Sequence, residues 1–160
     1  MGLLLGATPR ATLIRVAALA VLAFVMFRFI LLPVRLQGIS MLPTYNDGTL
    51  NFANRAAYWL GEPARGDVVA IRMSGLSVVY VKRIIGLPGE RLEIVMGTVT
   101  VDGQPLFEPS VFFYRLPWNL DPFTLGPDQY FVVGDNRSMT IENHDLGRAA
   151  RDRIVGKLLF

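Results

Sequence analysis

Of the 16 basic residues in this 160-residue chain, 14 are arginine and only Lys82 and Lys157 are lysine. Lys82 sits inside the apolar run Val78-Val79-Tyr80-Val81-Lys82-Arg83-Ile84-Ile85. Arginine stays charged in any protein environment, whereas burial disfavours the ammonium form of lysine, whose free pKa is about 10.4, and can leave a basic amine. A lysine kept there by an arginine-rich chain points to a base. Upstream, Gly38-Ile39-Ser40-Met41-Leu42-Pro43-Thr44 sets a serine beside a glycine, where backbone amides can approach a developing oxyanion, and Pro43 stiffens the turn that follows. A serine hydroxyl is a poor nucleophile until its proton is removed, and a neutral lysine can remove it in place of histidine. Ser40 and Lys82 together describe a Ser/Lys dyad for acyl transfer. Taken alone, each has a plainer reading: Lys82 as an edge-strand lysine turned to water, and Ser-Met-x-Pro as a structural turn.

Other chemistries are closed by composition. With no cysteine and one histidine, thiol catalysis, disulfide stapling and ordinary zinc sites are excluded, so no metal and no cofactor is expected. A Ser40/His144/Asp145 triad is conceivable, but adjacent His and Asp side chains rarely orient one another, and a structural His144 fits better.

The elements that must position the dyad begin with a membrane segment. Residues 11–32 are apolar except for Thr12, Arg15 and Arg28, with an uninterrupted run over 16–27. About 20 helical residues cross a bilayer core, and arginines near both ends of such a helix can snorkel to the two interfaces. No Ala-x-Ala follows the run, and Arg10 and Arg15 precede it, which favours a retained single span, ending at Pro33, over a cleaved signal or a buried core helix. The positive-inside rule places the N-terminus in the cytoplasm and everything after Pro33 on the outer side of the cell membrane. The expected organisation is therefore a cytoplasmic N-terminus and anchor over 1–35 and an extracytoplasmic catalytic domain over 36–160.

The net charge of +3 belongs to the anchor segment. Arg10, Arg15, Arg28 and Arg35 lie there with no acid, which leaves 12 basic residues against 13 acids, about −1, in the remainder. Nucleic acid is thus not an expected partner, whereas a lipid bilayer is. At 52% hydrophobic and 18% charged residues, the chain is not disordered.

After the span, turn signals such as Asp47-Gly48, Leu87-Pro88-Gly89-Glu90 and Gly134-Asp135-Asn136 separate short runs rich in Val, Ile, Phe and Tyr. The spacing predicts strands over 68–73, 78–85, 91–96, 98–101 and 130–133, a hairpin at Asp102-Gly103, and a short helix over 54–60. Residues 108–127, with several prolines and aromatics, read as an irregular, substrate-facing excursion. The expected fold is mostly β: an antiparallel sheet or barrel-like catalytic domain behind one N-terminal transmembrane helix.

Five ordered stretches carry a more specific signal: Phe27-Arg28-Phe29 to Pro33, 38–44, Arg65-Gly66-Asp67-Val68-Val69, 81–90 and Gly134-Asp135-Asn136-Arg137. Together with Val101-Asp102-Gly103-Gln104-Pro105-Leu106 and Ile154-Val155-Gly156-Lys157, and in this order relative to the span, they make the chain resemble type I signal peptidases along nearly its whole length. The resemblance implies that Ser40 is the nucleophile, that its backbone amide donates to the oxyanion, and that Lys82 is the general base. Met41 resembles the family's apolar residue at the membrane face, and Pro43, Arg83, Gly134, Asp135, Asn136 and Arg137 fall in supporting positions. Where some members place a serine donor, this chain has Gly38, so Gly38→Ser is expected to be neutral or favourable, while bulkier residues would crowd the substrate backbone. The family's Ser-x-Asp-x-Arg becomes Thr140-Ile141-Glu142-Asn143-His144. Thr140 keeps a hydroxyl to orient the lysine, and Glu142 with His144 replaces a carboxylate/arginine pair, or Asp145 with Arg148 takes over. Asn136-Arg137-Ser138 has the form of a glycosylation acceptor, but a tight turn near an active site is a poor sugar site.

Only 51 residues separate Lys82 from Gly134, so no large second domain is inserted. The implied activity is a membrane-anchored serine endopeptidase that removes signal peptides from exported preproteins bearing small residues before the cleavage site. The alternatives are a specialised relative that processes one conjugation, pilus or organellar precursor, and a catalytically impaired, membrane-tethered binding module. A self-cleaving SOS-repressor domain shares the dyad chemistry, but the membrane span argues against it.

Overall fold

The computed structural model describes residues 8–72, 79–111, 116–144 and 146–159. The apolar segment forms helix α1, Pro9–Val25, opened by the Thr8 hydroxyl, which accepts from the Ala11 amide, and by a proline at the first turn. It runs on through a π-helical turn, Met26–Ile30. The 22 residues from Pro9 to Ile30 are about 33 Å long at 1.5 Å each, and no residue of α1 is buried. Its length and apolar composition match a bilayer core.

The helix stops at Ile30, short of the expected 32, because Leu31–Arg35 is strand β1. Pro33 is therefore a strand residue and not the helix terminator. It is tolerated because β1 lies at the sheet edge, where a missing N–H can face away from the ladder. The sheet thus begins at Leu31, inside the 1–35 segment. The remaining strands are β2 Leu50–Asn54, β3 Val68–Arg72, β4 Val79–Gly86, β5 Arg91–Val95, β6 Thr98–Val101, β7 Gln104–Pro105, β8 Leu120–Thr124, β9 Gln129–Val133, β10 Gly147–Ala150 and β11 Ile154–Leu158. They form a seven-stranded sheet in the order β1-β2-β11-β3-β4-β9-β10 and a four-stranded sheet in the order β7-β6-β5-β8, antiparallel throughout.

The predicted strands fall within a residue or two of the observed ones, with Met73 and Val78 outside the described residues. Asp102 and Gly103 take φ of 50° and 79°, as a tight hairpin between β6 and β7 requires. The expected helix over 54–60 is a short 3-10 turn, Arg55–Tyr58, capped by the Asn54 side chain. The excursion over 108–127 is only partly irregular, since Leu120–Thr124 joins the four-stranded sheet through β5.

Two apolar clusters position the site. Ile85, Phe131 and Val133 of the large sheet pack on Leu92, Ile94 and Val99 of the small one, fixing the sheets to each other. Val34, Leu36, Met41, Ala53, Val68, Ala70, Val81 and Leu158 form a second cluster beneath the loop that carries Ser40. Burial of this kind contributes about 25 cal/mol per Å2 of apolar surface, so the loop is seated on packed core.

Candidate active site

Ser40 lies in the connection between β1 and β2. The Leu36 amide donates to Thr49 O and the Gly48 amide to Leu36 O, both at 2.9 Å, which extends the ladder beyond the strands and closes the loop. The Gly38 amide donates to Asp47 Oδ1 at 2.8 Å, and Gly38 has φ of +94°. The space around its missing Cβ is open, so crowding is not what fixes glycine here; the left-handed backbone is. Any gain from the added hydroxyl of Gly38→Ser is therefore set against a backbone cost. That variant should lose about 1 kcal/mol of stability, visible as a lower midpoint in thermal unfolding.

Met41 is 3% exposed and packs in the cluster under the loop, so it faces the core and not the membrane. Pro43, exposed, follows Leu42 through a cis peptide bond.

Lys82 stands in the middle of β4, opposite Val69 of β3 and only 2% exposed. Its Nζ donates to the carbonyl of His144 at 2.8 Å. β4 pairs with β9 only from Arg83 onward, so the 79–82 edge away from β3 is free of that strand, and β1 ends the sheet on the other side. Between these two edges lies a cleft of about 730 Å3 lined by Leu32–Met41, Val79–Lys82, Met139 and Asn143. Both Ser40 and Lys82 line it.

The turn after β9 holds the serine loop in place. The Asn136 amide donates to Ser40 O, and its side-chain Nδ2 to Ile39 O, both at 3.0 Å. Asn136 is buried with its side chain engaged, which removes it as a sugar acceptor. Asp135, fully buried, accepts from Arg83 Nε at 2.7 Å and Nη2 at 2.6 Å, and from the Thr44 hydroxyl. Burial works against the Arg83 charge, but Asp135 outweighs it and holds the guanidinium pKa above its ordinary value. The fork between Arg83 and Asp135 thus ties the strand bearing Lys82 to the loop bearing Ser40 through Thr44.

Arg137 is buried and donates through Nε to Gly134 O at 3.0 Å and through its terminal nitrogens to both Glu108 oxygens. Residue-level reasoning missed Glu108. Its one sequence signal is a carboxylate in an otherwise apolar, proline-rich stretch, where a charge needs a partner.

Two expected supporting groups stand elsewhere. Thr140 is exposed at the start of the 3-10 turn Ile141–Asn143, and its Oγ1 accepts from Asn143 Nδ2 at 3.0 Å. The lysine amine donates to the His144 carbonyl. Glu142 is exposed on the same turn and makes no pair with His144, and Arg148 lies over the Phe123 ring at 4.5 Å. Asp145 lies outside the described residues. His144 is fully buried, with Nε2 3.0 Å from Asn136 O and its ring edge-on to Trp118 at 4.6 Å. Burial first, then the charges of Lys82 and Arg137, lower its pKa to about 4. A ring so engaged and so weakly basic does not serve as the base of a triad.

This architecture has known counterparts. A family model described as "Signal peptidase, peptidase S26" matches residues 10–160. Signal peptidase I of Bacillus amyloliquefaciens is 35% identical over 149 residues, covering 87% of this chain and 77% of that protein. Signal peptidase I T of Bacillus subtilis (strain 168) is 34% identical over 149 residues with the same coverage. Signal peptidase IB of Staphylococcus aureus (strain COL) is 31% identical over 166 residues, covering 92% and 86%. Among solved structures, a signal peptidase I from Enterococcus faecalis V583 superposes with a TM-score of 0.51 at 26% identity, covering 61% of this chain and 97% of that one. On the matched residues and the identities to these relatives, the chain belongs to the signal peptidase family, peptidase S26.

Proposed function

We propose that this chain is a membrane-anchored serine endopeptidase that removes signal peptides from preproteins through a Ser40/Lys82 dyad. The observation that carries the reading is that Ser40 and Lys82 line one cleft between two open strand edges in a chain of this family. An extended preprotein segment can add to those edges by backbone hydrogen bonds and bring its scissile carbonyl to Ser40. The family resemblance implies small side chains at the first and third residues before the cleaved bond.

The amine of Lys82 takes the Ser40 Oγ proton as Oγ attacks the carbonyl carbon, and the Ser40 amide donates to the oxyanion. Collapse of the tetrahedral intermediate breaks the C–N bond, and the leaving amine, the new N-terminus of the mature protein, takes the proton from Lys82. The amine then takes a proton from water as that water attacks the ester carbonyl; collapse breaks the C–Oγ bond, Lys82 returns the proton to Ser40 Oγ, and the signal peptide leaves with a new C-terminal carboxylate. Incubating the detergent-solubilised chain with a preprotein carrying small residues before its cleavage site should give a single cut after them. Binding without cleavage would favour the impaired, membrane-tethered module.

The helix from Pro9 to Ile30 is the anchor, with Arg10 and Arg15 holding the N-terminus on the cytoplasmic side and the β domain on the outer face. Apolar surface continues from the helix onto the domain. Phe27 packs on Phe52 at 6.2 Å, Arg55 Nη1 donates to Arg28 O at 3.1 Å, and Trp59 and Leu60 beside them are exposed. Protease added outside intact spheroplasts should therefore digest the chain beyond residue 33 and spare the N-terminus. The reverse pattern would invert the topology and put Ser40 in the wrong compartment.

A further inference from the structure

His144 stands where the family's arginine was expected, yet it makes no carboxylate pair among the described residues. A carbonyl oxygen only accepts, so the 3.0 Å contact of Nε2 with Asn136 O fixes the hydrogen on Nε2 and leaves Nδ1 bare. Among the described residues, Nδ1 is buried with no hydrogen-bond partner. The groups of like charge facing the ring are Lys82 from β4 and Arg137 from the turn after β9, the latter paired with Glu108. A proton added at Nδ1 would create a buried charge beside Arg137, and burial is the main reason the ring stays neutral.

The contacts form one path. The Asn136 amide donates to Ser40 O, the His144 ring donates to Asn136 O, and Lys82 Nζ donates to His144 O. We propose that neutral His144 is the positioning residue of this site, its ring N–H pinning the backbone whose carbonyl holds the Lys82 amine in register with the loop of Ser40. The role is indirect, since His144 is not among the residues that line the substrate cleft. It differs from a carboxylate/arginine support in being uncharged and in acting through a main-chain carbonyl. This inference rests on the dyad reading above.

The chain's two lysines make the test clean. Full-length protein in detergent, labelled with 13C at lysine Cε, should give one resonance for Lys82 and one for Lys157. His144→Gln places an amide N–H where Nε2 stands, His144→Phe fills the ring space without a donor, and His144→Asn ends its amide short of Asn136 O. His144→Gln should keep the parental Lys82 shift and titration midpoint and cleave preprotein within about twofold of the parent. His144→Phe and His144→Asn should move the Lys82 midpoint by about half a pH unit or more, leave Lys157 unmoved, and lower kcat about tenfold at unchanged KM. Parental Lys82 titration in His144→Phe or His144→Asn, or a loss in His144→Gln as large as theirs, would overturn the proposal. If the parent cleaves no preprotein, the dyad reading fails, while the lysine spectra still decide whether His144 positions Lys82.

Discussion

Lys82→Arg should be as inactive toward preproteins as Lys82→Ala, although it keeps a long basic side chain and much of the packing. At 2% exposure and opposite Val69, position 82 has lost nearly all contact with water, and a buried ammonium is disfavoured where a neutral amine is not. A guanidinium cannot be deprotonated at any working pH, so it cannot take the Ser40 proton. Loss of a base from a serine hydrolase costs about 10⁴-fold or more in kcat, and both variants should fall that far. Lys157→Arg is the control. Lys157 is 48% exposed and pairs with Asp67 at 2.6 Å, a contact arginine can keep, so its activity should be parental. The wild-type rate should rise with pH on the alkaline side of neutrality, as a lysine base loses its proton. It should show no inflection between pH 6 and 7, because burial above all holds His144 at about 4. Processing retained in Lys82→Arg, or an inflection near the ordinary histidine value, would remove the lysine from the mechanism.

Gly134→Ala should lose less than the lysine variants but still about 100-fold, by displacement. A Cβ at 134 would stand 2.2 Å from Ser40 O, 2.8 Å from His144 Cε1 and 3.0 Å from Ser40 C. No rotamer relieves a clash with backbone, so the Ser40 loop must move by about an ångström, and a shift of that size in reacting groups costs about 100-fold in rate. The hydrogen bond from the Asn136 amide to Ser40 O would be strained with it. Steady-state kinetics should show kcat falling about 100-fold, with a lower thermal midpoint. A parental kcat would mean that the turn after β9 does not set the serine.

The candidate dyad could be read from the sequence because its residues stand out: one lysine in an apolar strand of an arginine-rich chain, and one serine just past an apolar span. The hairpin at Asp102-Gly103 was legible because few residue pairs accept two positive φ values. β1 was hidden because Leu31–Arg35 continues the apolar run of the helix, and only pairing with β2 makes it a strand. β8 was hidden by Pro122 within it, which reads as a loop until β5 supplies the ladder. The outward placement of Thr140 and Glu142 follows from a three-residue 3-10 turn that no periodicity announces, and that turn also brings the His144 carbonyl to Lys82. Met41 was misassigned because an apolar residue near a membrane anchor fits core and lipid equally well until the cluster beneath the loop is seen.

The most direct measurement is cleavage of a purified preprotein by full-length protein and its Ser40→Ala variant, read by the mass of the released fragments. Ser40 is half-buried on a loop held by its backbone, so removing one oxygen should leave the thermal midpoint unchanged. The parent should release mature protein cut after the small residue, and Ser40→Ala should release none above the uncatalysed background. Cleavage at the same bond by folded Ser40→Ala would contradict the Ser40/Lys82 mechanism outright.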